Sequence, residues 1–225
     1  MVLVPGAWCR EQVWSSVAER LRAAGREVHP ITLGGLTQAP AAAAGIGLQD
    51  HVGDVLDLLA TRNLSGATLV GHSYSGLVVG QAADRAPDRV ARVVFVQAFL
   101  PVEGRSLVDD FGPGAAEEAR LIERNGGWWP PPTLDDLTRE PDVTPEAARS
   151  LHRQLVPHPG RTVLEPVRMT RPHTTLDARY VLGSGAEPPA SLKDVPAGHV
   201  HRIDAGHFCM VTAPEALTEL LLTCG

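Results

Sequence analysis

The 225-residue sequence predicts an open α/β sheet, flanked by helices, with a helical cap inserted before its last two strands. Short apolar stretches alternate with amphipathic helical patterns up to residue 99 and again from residue 177, as in α/β sheets. The stretch RVARVVFVQAF is almost continuously apolar, which is typical of a strand buried on both faces of a parallel sheet. Residues 100–176 break the alternation and are rich in Pro and Gly. We therefore expect a core formed by 1–99 and 177–225 and a cap formed by 100–176.

The individual elements follow from local patterns. MVLV predicts a strand, and the next helical pattern places its apolar residues on one face: Trp14, Val17, Ala18 and Leu21. EVHPITL predicts a second strand and HVGDVLDLLATR a second helix, followed by the strand ATLV and the helix YSGLVVGQAADRA. After the insertion, ARYVLG and HVHRID predict the last two strands. APEALTELLLT predicts the final helix, with Thr212 and Glu215 spaced as a capping box.

Charge and cysteine content restrict the partners. The net charge is −6, Lys193 is the single lysine among 20 basic residues, and the basic residues form no run, which argues against nucleic-acid binding. No apolar segment approaches the roughly 20 residues of a membrane span, and no signal-peptide pattern is visible. The cysteines, Cys9, Cys209 and Cys224, have no metal-like spacing, and their odd number suits a reducing compartment. We expect a cytoplasmic monomer or homodimer that binds neither membrane nor nucleic acid.

Residues 69–80, LVGHSYSGLVVG, carry the strongest chemical signal. A strand here turns sharply into a helix, and Ser73 lies at the apex of a near G-x-S-x-G pattern. Ser75 stands where the second glycine is usual, and Gly76 follows it. Both residues are small enough for strand and helix to pack closely. Ser73 is therefore the predicted nucleophile and Ser75 a spacer.

A nucleophilic serine needs a base and an oxyanion hole. His207 lies after the last predicted strand and before the final helix, and the order serine first, histidine last matches the hydrolase order. The expected oxyanion donors are the N–H of Tyr74 and an N–H from the loop VPGAW, with Ala7 as the second donor. Trp8 would then line the site.

The motifs LVPGAW, GHSYSG, AFLPVEG and AGHFCMVTAPE together resemble the α/β-hydrolase superfamily. Within it the chain is most similar to the small esterases that include plant salicylate-ester hydrolases, hydroxynitrile lyases and bacterial carboxylesterase-like proteins. The resemblance covers essentially the whole chain. It implies the α/β-hydrolase fold, Ser73 as nucleophile, His207 as base, Tyr74 and Ala7 as oxyanion donors, and neither metal nor cofactor.

The acid of the triad departs from this pattern. The resembled proteins carry it after the strand before the cap, where this chain has Gln97, or in the loop that here reads LGSGAEPP, near Ala186. Glu187 would serve if that loop is shifted by one residue. Alternatively, the Gln97 amide oxygen would accept the imidazole N–H; replacing a triad carboxylate by an amide costs about 10⁴ in rate. Asp204 and Glu103 are weaker alternatives.

Aromatic residues suggest the substrate. Trp128 and Trp129 stand beside three prolines, and with Trp8, Phe99 and Phe208 they would line a site for an apolar, cyclic or aromatic ligand. The alternative is that the tryptophans hold the cap to the core. Phe208 also follows His207 where the cyanohydrin lyases have a lysine, which argues against that reaction.

The sequence thus predicts a carboxylesterase-like serine hydrolase that acts on a small apolar, aromatic or polyketide-like ester through an acyl-enzyme on Ser73. An alternative keeps the fold but replaces hydrolysis by a cyclase or lyase step on a natural-product intermediate. It would use His207 as base and the oxyanion hole, because the usual Asp is missing. A third alternative is a ligand-binding relative with a decayed triad.

Overall fold

The computed structural model describes residues 1–37, 45–183, 185–189, 192–193 and 195–224. The strands of its main sheet are β1 (Val2–Val4), β2 (His29–Pro30), β3 (Ala67–His72), β4 (Val90–Val96), β7 (Ala178–Gly183) and β8 (Val200–Ile203). They are parallel and lie in the order β2-β1-β3-β4-β7-β8. The antiparallel pair β5 (Trp128–Trp129) and β6 (His158–Pro159) lies in the insertion. The predicted α/β sheet is confirmed.

The helices are arranged on both sides of this sheet and in the insertion. Those that alternate with the early strands are α1 (Ser15–Ala23), α2 (Leu48–Thr61) and α3 (Ser75–Arg85). The insertion carries α4 (Ala115–Arg124), α5 (Leu134–Thr138), α6 (Pro145–Gln154) and α7 (Arg161–Leu164). The chain continues after β8 with α8 (Cys209–Thr212) and α9 (Pro214–Cys224). In the described ranges, no helix is long and apolar enough to cross a membrane.

Two apolar cores lie on opposite faces of the sheet. Side chains alternate along β1, so Val2 and Val4 join the core beneath α2 and α3, whereas Leu3 joins the core beneath α1 and α9. The second core also takes Leu137 and Leu151 from the insertion. Burial on both faces explains why the strands read as apolar runs, and the second core fixes part of the insertion to the sheet.

Two local predictions differ from the structure. β2 is only two residues long, because Pro30 has no N–H to donate and such residues are confined to sheet edges. The Thr212 hydroxyl, predicted to cap the final helix, instead donates to Asp142 Oδ2 of the insertion at 2.6 Å. The Thr212 hydroxyl is thus bonded to a distant carboxylate, although the local pattern predicts that it caps the helix.

Candidate active site

A sharp turn between β3 and α3 presents Ser73. Its φ of +52° lies in the left-handed region, which is strained for a residue with a Cβ. A Cβ on Gly71 would lie 2.7 Å from the Ser75 carbonyl oxygen, and one on Gly76 would lie 2.2 Å from the Phe99 carbonyl oxygen. Helix α3 therefore lies close to β3 at Gly71 and close to the segment after β4 at Gly76, one residue beyond the position where the motif has its second glycine.

Ser75 has a different environment from Ser73. Its side chain is fully buried, and its hydroxyl donates a hydrogen bond to the Pro5 carbonyl of the loop after β1. This bond ties the turn to that loop. The Ser75 hydroxyl is thus engaged in a structural hydrogen bond, which agrees with its predicted role as a spacer.

Ser73 and His207 lie within hydrogen-bonding distance of each other. The Ser73 Oγ is 3.1 Å from His207 Nε2. Burial lowers the pKa of His207 below its usual value, so the imidazole is neutral at pH 7 and has a lone pair for the hydroxyl proton. A serine beside a neutral histidine is the arrangement that general-base activation requires.

Two backbone N–H groups near Ser73 are unused. Among the described residues, neither the Ala7 nor the Tyr74 N–H donates to an acceptor, although both residues are buried. The Trp8 N–H, by contrast, donates to His158 Nδ1 at 3.2 Å. Unsatisfied buried donors are rare, and a pair of them beside a nucleophile is what an oxyanion hole requires.

The Tyr74 side chain is held by a hydrogen bond to a buried histidine. The Tyr74 hydroxyl donates to His51 Nδ1 at 2.9 Å, and His51 Nε2 donates to the Gly34 carbonyl at 2.8 Å. Burial lowers the pKa of His51 to about 4, so the ring is neutral and these donor and acceptor roles are consistent. These two hydrogen bonds, from Gly34 through His51 to Tyr74, hold in place the residue whose backbone N–H is the predicted oxyanion donor.

Among the described residues, three side chains hydrogen-bond to the backbone of the histidine loop, residues 204–207. His72 Nε2 donates to the His207 carbonyl at 2.8 Å. Gln97 Nε2 donates to the Gly206 carbonyl at 2.5 Å and lies 3.4 Å from the Ala205 carbonyl. Asp142 Oδ2 accepts the Gly206 N–H at 2.7 Å. The sequence reasoning missed His72, although it stands inside the serine motif, and Asp142, which no local pattern marks.

The residues considered as triad acid are distributed differently from expectation. The sequence suggested that the Gln97 amide oxygen would accept the imidazole N–H. Instead, Gln97 contacts the histidine loop through its amide nitrogen, because two backbone carbonyls face that nitrogen. Glu187 and Asp204 are exposed, and Glu103 accepts the Met169 N–H at 2.5 Å. Within the described ranges, no carboxylate hydrogen-bonds to the imidazole of His207. Glu187 as the acid stays a prediction.

A cavity of about 580 Å³ opens beside His207. Most of its wall is the segment after β4, and it contains the ion pair Arg105–Asp110, whose N–O distance is 2.9 Å. The described lining is Gln97, Ala98, Phe99, Leu100, Val102, Arg105, Asp110, Pro189 and His207. Of the five aromatic residues predicted to contact substrate, Phe99 belongs to this lining.

The other predicted aromatic residues pack elsewhere. The Trp8 and Trp129 rings are in contact, with centroids 4.1 Å apart and planes tilted by 47°, and Trp8 Nε1 donates to the Trp129 carbonyl at 3.1 Å. Trp128 is half-buried in β5, and Phe208 is buried in the core that contains α1 and α9. The contacts of Trp8 and Trp129 agree with the alternative that the tryptophans hold the insertion to the first loop.

The thiols and other metal-ligating groups show no shared site. Cys9, Cys209 and Cys224 are all buried and unpaired, and burial raises the pKa of Cys9 and of Cys209 to about 12. In the described part of the chain, no three His, Cys, Asp or Glu side chains are grouped to hold a metal ion.

Comparison with known proteins agrees with the fold. The model of the alpha/beta hydrolase family matches residues 1–220. A carbendazim-hydrolysing esterase of Nocardioides sp. (strain SG-4G) is 28% identical over 100% of this chain and 98% of its own length. Esterase PIR7B of Oryza sativa subsp. japonica is 34% identical over 54% of this chain and 46% of its own length.

A solved structure extends the comparison to three dimensions. An extracellular alpha/beta-hydrolase from a Paenibacillus species, described as a structural and functional homologue of tobacco salicylic acid binding protein 2, has a TM-score of 0.83 at 22% identity. The match covers 100% of this chain and 98% of that one, and at this identity it shows the fold alone. The chain therefore belongs to the alpha/beta hydrolase family, among the plant esterases and their bacterial relatives, and is an esterase-type enzyme.

Proposed function

We propose that this enzyme hydrolyses small apolar carboxylic esters through an acyl-enzyme on Ser73. The observation that carries the proposal is the 3.1 Å contact between Ser73 Oγ and the buried, neutral His207, beside the unused N–H groups of Ala7 and Tyr74. Nucleophile, base and oxyanion donors are the three parts that acyl transfer requires.

The reaction follows from these positions. Ser73 Oγ attacks the ester carbonyl while His207 Nε2 takes the hydroxyl proton, and the carbonyl oxygen becomes an anion within reach of the Ala7 and Tyr74 N–H groups. The imidazolium then gives its proton to the departing alkoxide, which leaves an ester on Ser73. Water, deprotonated by His207, attacks that ester, and the imidazolium returns the proton to Ser73 Oγ as the carboxylic acid leaves.

The substrate class is supported by the cavity. About 580 Å³ is within the usual range for a small-molecule site. Ala98, Phe99, Leu100 and Val102 give it an apolar wall, and its ion pair Arg105–Asp110 is internally neutralised. A neutral ester with an apolar, aromatic or polyketide-like body suits this lining. The esterases among the relatives support the ester class.

The proposal is tested by intact mass after reaction with a fluorophosphonate. Wild type should gain one adduct, and Ser73→Ala and His207→Ala should gain none, because the first lacks the nucleophile and the second lacks the base. Ser75→Ala is the matched control and should keep the adduct, since its hydroxyl is committed to Pro5. An unlabelled wild type, or an adduct on Ser73→Ala, would contradict the proposal.

A second candidate is a cyclase or lyase step in which His207 removes a proton from a natural-product intermediate and the oxyanion hole holds the enolate. It is favoured by one observation: no described carboxylate hydrogen-bonds to the His207 ring. This candidate needs no serine nucleophile. Ser73→Ala would therefore keep part of the activity and His207→Ala would lose it, whereas an esterase loses activity in both.

The location is also a proposal. We infer a cytoplasmic enzyme, supported by the three unpaired buried thiols. Fractionation of the native host with an antibody against this chain would test it.

A further inference from the structure

Asp142 is a carboxylate of the insertion that bonds to the backbone beside His207. It lies between α5 and α6, and its Oδ2 accepts the Gly206 N–H at 2.7 Å and the Thr212 hydroxyl at 2.6 Å. Gly206 immediately precedes His207, and Thr212 ends α8. One carboxylate oxygen thus joins both ends of the turn that carries the candidate base.

The second oxygen of Asp142 is pressed against the same loop. Asp142 Oδ1 is buried, and no described residue donates a hydrogen bond to it. A Cβ on Gly206 would lie 2.2 Å from this oxygen, so the glycine is what allows the carboxylate to approach. Gly206 does not have a positive φ, so its backbone conformation does not require glycine. The close contact with Asp142 therefore explains why residue 206 is a glycine.

The charge of Asp142 distinguishes it from the other supports of the loop. His72 and Gln97 hold the loop by neutral groups, because burial lowers the pKa of His72 well below its usual value. Hydrogen bonds to an ionised acceptor are stronger than those between neutral groups.

We propose that Asp142 is the positioning residue for His207: the insertion supplies a carboxylate that fixes the histidine loop so that Nε2 faces Ser73. This inference rests on the proposed esterase function. Asp142 acts through the backbone of Gly206, not on the imidazole, and so provides orientation for a ring to which no carboxylate of the described residues hydrogen-bonds. Displacement of a catalytic group by about 1 Å costs about 10² in rate.

The test compares Asp142→Ala, Asp142→Asn and Thr212→Val. We would measure kcat and KM for p-nitrophenyl butyrate, the rate of fluorophosphonate labelling, and hydrogen exchange of the peptide that covers 203–212. Asp142→Ala should lower kcat and the labelling rate about 100-fold with KM within about threefold. Asp142→Asn keeps an oxygen for the Gly206 N–H and should recover about tenfold of that loss. Thr212→Val keeps the bond to Gly206 and should stay within about threefold of wild type.

Three results would overturn the inference: a folded Asp142→Ala with kcat and labelling within threefold of wild type, a loss confined to KM, or an equal loss in Thr212→Val. Should Asp142→Ala not fold, Gly206→Ala takes its place, because its methyl group displaces the carboxylate without removing it. An unchanged kcat in that variant would also overturn the inference. Hydrogen exchange does not depend on activity, so faster exchange of this peptide in Asp142→Ala alone is expected even if wild type is never labelled. The missing label would then count against the esterase proposal and not against the role of Asp142.

Discussion

The serine turn and the histidine loop meet at a 3.1 Å contact but are built in different ways. The turn is made from consecutive residues, 71–76, whose close approaches involve backbone atoms. The histidine loop is held by His72, Gln97 and Asp142, which are 135, 109 and 64 residues away from their partners. The proposed nucleophile is therefore marked by a pattern of consecutive residues, whereas the position of the proposed base depends on distant segments, one of them in the insertion.

Each region contains a glycine that permits a close approach, and the two differ in what a methyl group would meet. At Gly76 it would meet the Phe99 carbonyl, which belongs to the backbone and cannot turn aside. At Gly206 the three nearest atoms all belong to the side chain of Asp142. A second substitution should therefore not restore stability after a substitution at Gly76, whereas a change at Asp142 should restore it after a substitution at Gly206.

Among the substitutions, Gly76→Ala should have the largest effect. Its Cβ would lie 2.2 Å from a carbonyl oxygen, so the turn must distort, and we expect a loss of about 3 kcal/mol in the free energy of unfolding. Urea denaturation measures it. Gly53→Ala in α2 is the control: nothing lies within 4 Å of its Cβ, and alanine should stabilise the helix by about 0.5–1 kcal/mol. Equal stabilities for the two variants would contradict close packing at the turn.

Acid should weaken both regions together. Burial lowers the pKa of each of four histidines, so the native state binds fewer protons than the unfolded chain as pH falls below about 6.5. The free energy of unfolding should then fall by up to about 1.4 kcal/mol per pH unit for each histidine, and by at least about 2 kcal/mol at pH 5. The residues are His51, His72, His158 and His207.

Urea denaturation at pH 7 and pH 5 checks this expectation. A free energy of unfolding that stays constant between the two pH values would show that these histidines are not buried in their neutral form.

Gly206→Ala should have the smallest effect and sharpens the comparison most. The methyl group must push Asp142 away, at about 1–2 kcal/mol, and slow the labelling of Ser73. In an Asp142→Ala background the obstacle is gone, so the second substitution should cost less than about 0.5 kcal/mol. Urea denaturation of the four proteins gives this cycle. Additive losses would mean that Gly206 is constrained by something other than Asp142.

The sequence predicts the features that are built from neighbouring residues. The apolar runs of β1, β3 and β4 mark a parallel sheet because both faces are buried, and the Gly71–Gly76 pattern marks a strand-to-helix turn. His207 is found by its position after β8. These features leave a periodicity or a spacing in the chain.

The support of His207 leaves no such trace. A hydrogen bond between a side chain and the backbone of a distant segment imposes no pattern on either one. Asp142 reads as an ordinary acidic loop residue, and Thr212 reads as a helix cap until Asp142 is brought beside it. Phe208 and Trp129 were equally suited to a pocket wall or to packing, because their burial is decided by elements far along the chain.

The burial of Cys209, two residues after His207, has a consequence for chemical reactivity. A thiol with a pKa of about 12 is ionised to about one part in 10⁵ at pH 7, and only the thiolate attacks alkylating reagents. While it stays buried this cysteine is therefore inert, and it reacts only when the segment that bears His207 opens. The rate at which an alkylating reagent modifies it would time those openings without any label or added probe residue.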